Sequence, residues 1–321
     1  MIGPLIFSFQ FFISKARNMS TYYLHKAAQQ NRIDIVKWLI DNGAKPNTKD
    51  KMHKTALHYA SENDYPEVMK LLIQNGAVAY AKDNDGFTPL HYALLNNSSL
   101  EVVKLLIHEL DVECPNPGWV QRLLNEKNGM HKTALHYASE NNSIEVVKFL
   151  IEMGAETNIK DGDEKSPLHY ASSLEVVKCL IENGAEIDAK NNLGWRSLHH
   201  AAFYGILGIV KFLIEKGAKI NARTNVGNTP LHYASKHCHV EIVKFLIEKG
   251  ALIDEKNNDG NTPLICLNIG SCRTEDRGLQ IVKFLIEKGA SIDQKNNEGK
   301  TPLDLAKSIP ASSLVASSSS R

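Results

Sequence analysis

One stretch of this chain returns along nearly its whole length. Thr229-Pro230-Leu231-His232-Tyr233-Ala234 leads into a decamer at 242–251, and that decamer recurs unchanged at 209–218 and 281–290. The hexamer recurs at 88–93, and with one or two changes at 55–60, 133–138 and 166–171. Its first position falls at 55, 88, 133, 166, 196 (as arginine), 229, 262 and 301, so the gaps are 33, 45, 33, 30, 33, 33 and 39. Counting back 33 from Thr55 reaches Tyr22, where Leu24 and His25 match Leu57 and His58. A fixed period decides architecture before local propensity does. It overrides the prior of about two domains that a chain of 321 residues would set.

Each copy reads as two short helices and a turn. Thr229 suits an N-cap whose hydroxyl accepts a bond from a first-turn N–H. Pro230 at the first helical position gives up a donor that would be orphaned anyway. Leu231 and Ala234 give the first helix its apolar side. Ile242, Val243, Phe245, Leu246 and Ile247 give the second a wide apolar face. Lys244 and Glu248 stand four apart on its wet side, a pair worth a few tenths of a kcal/mol. Gly250 follows the last turn and suits a left-handed cap. The polar run 254–260 then makes a turn with Asp259-Gly260 at its tip.

Such a unit cannot bury its own apolar face, so neighbours must stack. The Thr-Pro-Leu-His-x-Ala hexamer at this period resembles the ankyrin repeat family. The resemblance covers residues 21–307, about eight repeats and a C-terminal half repeat. It implies an all-α solenoid of stacked helix-turn-helix units with projecting β-hairpin fingers. It also implies a partner that is a protein or peptide, held without a cofactor on the concave and finger surface. The near-identical repeats, with turns rich in Asn, Lys and Ile, further resemble ankyrin proteins of intracellular bacteria and some protists. That likeness implies a host-directed effector as one role.

Departures from the repeat mark the candidate partner residues. Residues 52–63 are identical to 130–141, and both copies put a histidine, His53 or His131, where the family's turn has glycine. Met52 and Met130 precede them, and Phe87 holds a matching finger position. The third repeat ends in Leu110-Asp111 in place of Gly-Ala, and eleven extra residues come before the next finger. Within that insertion Trp119 is either an interface anchor or a pin that packs back on the solenoid, and 120–124 can form a short helix. Glu164 replaces the finger glycine of the fourth repeat. The fifth lacks three residues between Tyr170 and Glu175, so its first helix or loop should be short and the stack weaker there. The sixth puts Arg196-Ser197 in place of Thr-Pro and carries Trp195, Phe203 and Tyr204 where the family's concave side varies with the partner. Those three read either as a partner patch or as packing that compensates for the short fifth repeat. The eighth repeat gains six residues around 270–278.

No chemistry is encoded by a recognisable motif. Seven of the 13 histidines (His25, His58, His91, His136, His169, His199, His232) fill one repeat slot, which reads as a structural device bonding backbone or threonine groups. His237-Cys238-His239 lacks the spacing of a metal site, and phosphate-loop, nucleophile-elbow and zinc-protease motifs are absent. The expectation is a non-enzyme with no catalytic, cofactor-binding or metal-binding residue. A formal net charge of +1 with interspersed signs argues against nucleic acid. The five cysteines have no regular spacing, which favours a reducing compartment. The expected state is a monomer in the cytoplasm of its own or a host cell. Residues 1–20 form a separate apolar segment, whose run 2–13 is too short to span a bilayer. It covers the first repeat's outer face, precedes a true start at Met19, serves as a signal segment, or anchors a membrane-attached scaffold, the alternative function. The serine-rich tail, 308–321, has the composition of a disordered segment.

Overall fold

The computed structural model describes residues 20–108, 118–267 and 275–307. The chain divides into two compact units, 1–162 and 163–321. The first holds α1 (20–29), α2 (Ile33–Asp41), α3 (Ala56–Glu62), α4 (Pro66–Gln74), α5 (Pro89–Leu95), α6 (Leu100–His108), α7 (Trp119–Leu124), α8 (Ala134–Glu140) and α9 (Ile144–Glu152). The second holds α10 (Pro167–Tyr170), α11 (Leu174–Glu182), α12 (Ser197–Tyr204), α13 (Leu207–Glu215), α14 (Pro230–Lys236), α15 (Val240–Glu248), α16 (Pro263–Cys266), α17 (Glu275–Glu287) and α18 (Pro302–Lys307). The apolar N-terminal run, the Leu110-Asp111 cap and the serine-rich tail lie outside the described residues, as does part of the eighth-repeat insertion. Among the described residues no helix is long and apolar enough to cross a membrane.

Six of the helix pairs turn on a left-handed residue between them, whereas α10 leads into α11 through extended Ala171. Asn31, Asp64, Asn97, Asn142 and Cys238 take φ of 55–57°, and Gly205 takes 78°. Asn and Asp tolerate that region better than most residues do, and the chain there folds back into the second helix. Gly250, at φ +92°, closes α15 as its position predicts. Small and apolar residues of first helices are buried together with large apolar ones of second helices: Ala56, Leu57 and Ala60 with Val68, Met69, Leu72 and Ile73. In the second unit Leu231, Ala234, Ile242, Val243 and Leu246 are buried alike. Phe245 and Ile247, expected in the same face, are only half-buried. Phe245 lies at the wet margin, with Nζ of Lys211 and of Lys249 5.8 and 5.7 Å from its ring centre. Lys244 pairs with Glu241 one turn back at 3.3 Å, not with Glu248. Both positions suit a helix-face pair; the geometry selects the i−3 partner.

The insertions and the deletion have local answers. Helix α7 forms within the third-repeat insertion and buries Leu123 and Leu124. The fifth repeat's first helix, α10, is four residues long where α14 has seven. In the eighth repeat α17 starts four residues before Leu279, the match of Val240, so part of the insertion lengthens a helix. The polar side of the first repeat (Lys26, Gln29, Gln30, Asn31, Arg32) is exposed, and so are Tyr22, Tyr23 and Trp38. Cys179 and Cys266 form no disulfide. Cys238 is disulfide-bonded.

The fingers are tight turns, and among the described residues no β-strand forms. In place of hairpin pairing, an Asp or Asn side chain closes the turns that begin at Asp50, Asp83, Asn128, Asn191, Asn257 and Asn296, whereas Thr224 holds that slot in one finger. Asp50 Oδ1 accepts from the N–H groups of Met52 (2.8 Å) and Lys54 (2.9 Å). Asn191 and Asn257 do the same two and four residues on. One backbone bond then joins successive fingers. Asn84 N–H donates to Met52 O at 3.0 Å and Gly162 to Met130 O at 3.1 Å. In the second unit Asn192 donates to Asp163 O, Asn225 to Leu193 O and Asn258 to Val226 O, at 3.0, 3.0 and 3.1 Å. The turn needs positive φ at its fourth residue: Gly260 has 74°, and His53, His131 and Glu164 accept 59, 58 and 60°.

The repeated histidine holds a helix start and a loop at once. The N–H of Thr55 donates to His58 Nδ1 at 3.0 Å, and the Thr55 hydroxyl lies 2.8 Å from the same nitrogen. Nδ1 therefore accepts, the ring proton sits on Nε2, and Nε2 donates to the Phe87 carbonyl at 3.1 Å. His91 reaches Glu126 O, His169 reaches Trp195 O and His232 reaches Asn261 O, at 3.1, 3.2 and 3.0 Å. Thr229 Oγ1 lies 2.8 Å from His232 Nδ1. Its chief partner is thus the ring, not the first-turn N–H its cap position suggests. Arg196, in the threonine slot, still gives its N–H to His199 Nδ1 at 3.0 Å. In the terminal half repeat Asp304 takes the role, with Oδ2 3.0 Å from Thr301 N and 2.7 Å from Thr301 Oγ1.

Burial pushes His58, His91, His199 and His232 down to about 4, from an ordinary 6.5. Between those values the unfolded chain binds protons that the folded chain refuses, so stability falls as pH falls through that window. Urea denaturation should therefore show a midpoint that drops steadily from about pH 6.5 toward pH 4. A midpoint flat across that range would contradict the neutral, buried clasp. Relief of the left-handed turn is the second expectation: His53→Gly should stabilise the chain by about 0.5–1 kcal/mol in the same assay. A loss of stability would show that the imidazole itself holds the turn.

Candidate functional site

The sequence candidates fall into two groups, one in each unit. In the first unit Met52 and Met130 are 53 % and 52 % exposed, and His53 and His131 beside them are exposed at the finger tips. Phe87 is buried; its ring centre lies 5.3 Å from Tyr92 and 6.3 Å from Tyr137. Trp119 is half-buried at the start of α7, and its buried Nε1 has no hydrogen-bond partner among the described residues. Beside it in sequence, Gln121 packs against Gly154, placing the insertion helix over the end of α9.

In the second unit Trp195, Phe203 and Tyr204 come together. Trp195 lies tilted against Tyr233 (ring centres 4.4 Å apart) and His200 (4.8 Å) and meets Phe203 edge-on (5.6 Å). Phe203 continues the row to His237 at 4.2 Å and Tyr204 at 4.9 Å. Trp195 and Phe203 are half-buried, Tyr233 is buried, and Tyr204 is 67 % exposed at the row's open end. Aromatic pairs at these separations contribute about 0.5–1.5 kcal/mol each beyond area burial. The row is thus a rigid platform that presents one ring to solvent.

The cause lies in a slot that changes residue. In most other repeats the residue after the repeat histidine is tyrosine, and its hydroxyl clasps the finger. Tyr59 donates to Asp50 and Tyr92 to Asp83 at 2.6 Å, and Tyr137 OH accepts from Asn128 at 2.7 Å. The sixth repeat has His200, whose shorter ring leaves Nε2 buried without a partner among the described residues. Burial first, then the nearby charges of His169, Lys165 and His199, push His200 down to about 3. A neutral imidazole leaves Trp195 an uncharged face to lie on. Other repeats place a cation over the tyrosine here: Lys54 Nζ sits 3.9 Å from the Tyr92 ring centre. A cavity of about 40 Å³, lined by His169, Tyr170, Ser172, His200 and Tyr204, fills the place of the three missing residues.

Gly205 and His239 fix the platform from behind. A Cβ on Gly205 would lie 2.5 Å from His239 Cε1. The ring occupies that space and donates through Nε2 to the Phe203 carbonyl at 2.9 Å.

Family models described as Ankyrin repeats (3 copies) match residues 24–116, 112–161, 153–224 and 198–268, and one described as Ankyrin repeat matches 259–297. The chain belongs to the ankyrin repeat family. Its ankyrin array is an all-α repeat solenoid, and ankyrin repeats are protein–protein interaction modules. Among the described residues no group of three or more His, Cys, Asp or Glu is placed to hold a metal ion. Sequence reasoning singled out Trp195, Phe203 and Tyr204 but passed over His200, Tyr233, His237 and Gly205. His200 was detectable as the one tyrosine-slot histidine. The contact of Gly205 with His239 spans one period and needs coordinates.

Gly205→Ala should cost about 2 kcal/mol, combining left-handed strain with loss of the His239 bond. Thermal melts of Gly205→Ala and His239→Ala check this: both should fall, and their double variant should fall by less than the sum. Strict additivity would separate the two residues.

Proposed function

We propose that this ankyrin array binds a partner protein through the finger and first-helix side of its second unit, with Tyr204 as the anchor and Trp195 and Phe203 as its support. The observation that carries this reading is the aromatic row with its single ring turned out to solvent. Tyrosine and tryptophan dominate interface energetics because they bury large areas at small cost in side-chain entropy. A rigid row has already lost that freedom, so binding adds contact without ordering. The basic and imidazole groups around it (Lys165, Lys236, His237) give the rim its polarity. The exposed Met52 and Met130 tips belong to the first unit and form a second, separate candidate surface for the same partner or another. No cofactor takes part in this reading, and the chain acts by binding, not turnover.

Affinity capture from cell lysate, quantified against Tyr204→Ala and Trp195→Ala, tests the assignment. Tyr204→Ala should lose the captured partner by about tenfold or more with its melting temperature unchanged. Trp195→Ala should lose the partner and melt earlier. Equal capture of the same proteins by wild type and Tyr204→Ala would make the row a packing device and move attention to Met52 and Met130.

A further inference from the structure

The second helices of the array share a charge pattern that breaks at one point. Their second residue is acidic in six cases: Asp34, Glu67, Glu101, Glu145, Glu175 and Glu241. A lysine stands three residues later in each. Where the geometry is fullest, Lys70 Nζ lies 3.1 Å from Glu67 of its own helix and 3.1 Å from Glu101 of the next. The acid thus sits between the lysine of its own helix and the lysine before it. In the eighth repeat Gln280 keeps a polar head in this slot. In the sixth, Gly208 removes the side chain altogether.

Nothing in the backbone asks for that glycine. Gly208 is helical, without positive φ, and an added Cβ would meet only Leu174 Cδ2 at an ordinary 3.6 Å. Glycine in an exposed helix costs about 1 kcal/mol against alanine. A local rule broken without structural return is where function is sought. The omission opens a groove of about 520 Å³ between α11 and α13, floored by Leu174, Gly208 and Phe212 and rimmed by Lys178, Lys211, Lys216 and Glu215. Lys178 and Lys216 hold Nζ 5.8 and 5.6 Å from the Phe212 ring centre, and Lys211 lies 5.8 Å from that of Phe245. None of the three is within ion-pair distance of a carboxylate among the described residues.

We infer that this groove, on the second-helix side of the second unit, docks an acidic segment of a partner protein, which supplies in trans the carboxylate missing at position 208. The carboxylate seats between Lys178 and Lys211, and an apolar side chain next to it rests on Leu174 and Phe212. Charge complementarity names the occupant: the groove lining holds three cations and one acid, with Glu175 one turn from Lys178, around the slot a glutamate fills elsewhere. The apolar floor and single short groove fit a peptide better than a polyphosphate backbone, which needs an extended basic stripe.

Fluorescence anisotropy on the full chain, with a labelled amphipathic peptide of leucine and glutamate, tests this against a version with glutamine for glutamate. The wild type should bind the glutamate peptide and ignore the glutamine one. Gly208→Glu and Lys178→Gln/Lys211→Gln should each bind about tenfold more weakly or worse. Gly208→Glu restores what neighbouring repeats carry, so it folds, and its melt confirms that. Equal affinity of wild type and Gly208→Glu overturns the proposal, as does equal affinity for the two peptides or no binding at about 1 mM. Retention of the chain on phosphatidylserine vesicles with no peptide binding also overturns it and gives the face to a lipid surface.

Discussion

A buried imidazole with its two nitrogens in opposite roles is the interaction on which the array depends. Nδ1 accepts from the backbone at the start of a first helix, and Nε2 donates to a carbonyl in the loop beyond. Only histidine among the side chains offers a ring acceptor and a ring donor together while neutral. Both bonds are buried, where an unmade one costs about 1–3 kcal/mol. Each ring therefore fixes the distance between a helix and its loop, and repetition turns a local cap into a spacing rule. The slot tolerates replacement only near the C-terminal end. Ile265 keeps the apolar volume without the bonds, and Asp304 keeps the cap.

In the sixth repeat several slots change together, and each change is answered by a neighbour. Arg196 takes the threonine position, and its buried guanidinium turns back to the Asp188 carbonyl at 3.1 Å. His200 gives up the tyrosine clasp on its finger, and Trp195 packs its ring, tilted, against His200 and Tyr233 there. Gly205 makes room for His239, which holds the carbonyl of Phe203. Gly208 empties the outer face of the next helix. The short α10 lies on the other side of this repeat, so the changes gather around a place where the regular lattice is already interrupted. A regular repeat presents the same surface many times. This one departs from its neighbours on both its sides, which is what recognition of a particular partner requires.

The period, the helix pairs, the left-handed cap at Gly250 and the finger turns were all legible in the residues, because each rests on contacts within a few positions. So was the candidate cluster of Trp195, Phe203 and Tyr204, as a departure from the repeat. Less legible were choices among equivalent neighbours. Lys244 had acids on both sides in sequence and took Glu241. Phe245 and Ile247 matched the apolar stripe but fell at its margin. Phe87 and Trp195 occupy the same repeat position, yet only Phe87 is fully packed away.

The sequence by itself determined the architecture. A motif repeated at an interval near 33 has one economical way to bury its apolar face, and the histidine slot marks most of the intervals. Tertiary structure alone decided which rings meet, which one faces water and which lysines lack an acid. Those depend on side chains a whole period apart, such as Gly205 with His239 or Lys178 across the gap at Gly208. Their distance is set by the stacking of helices and not by any local rule.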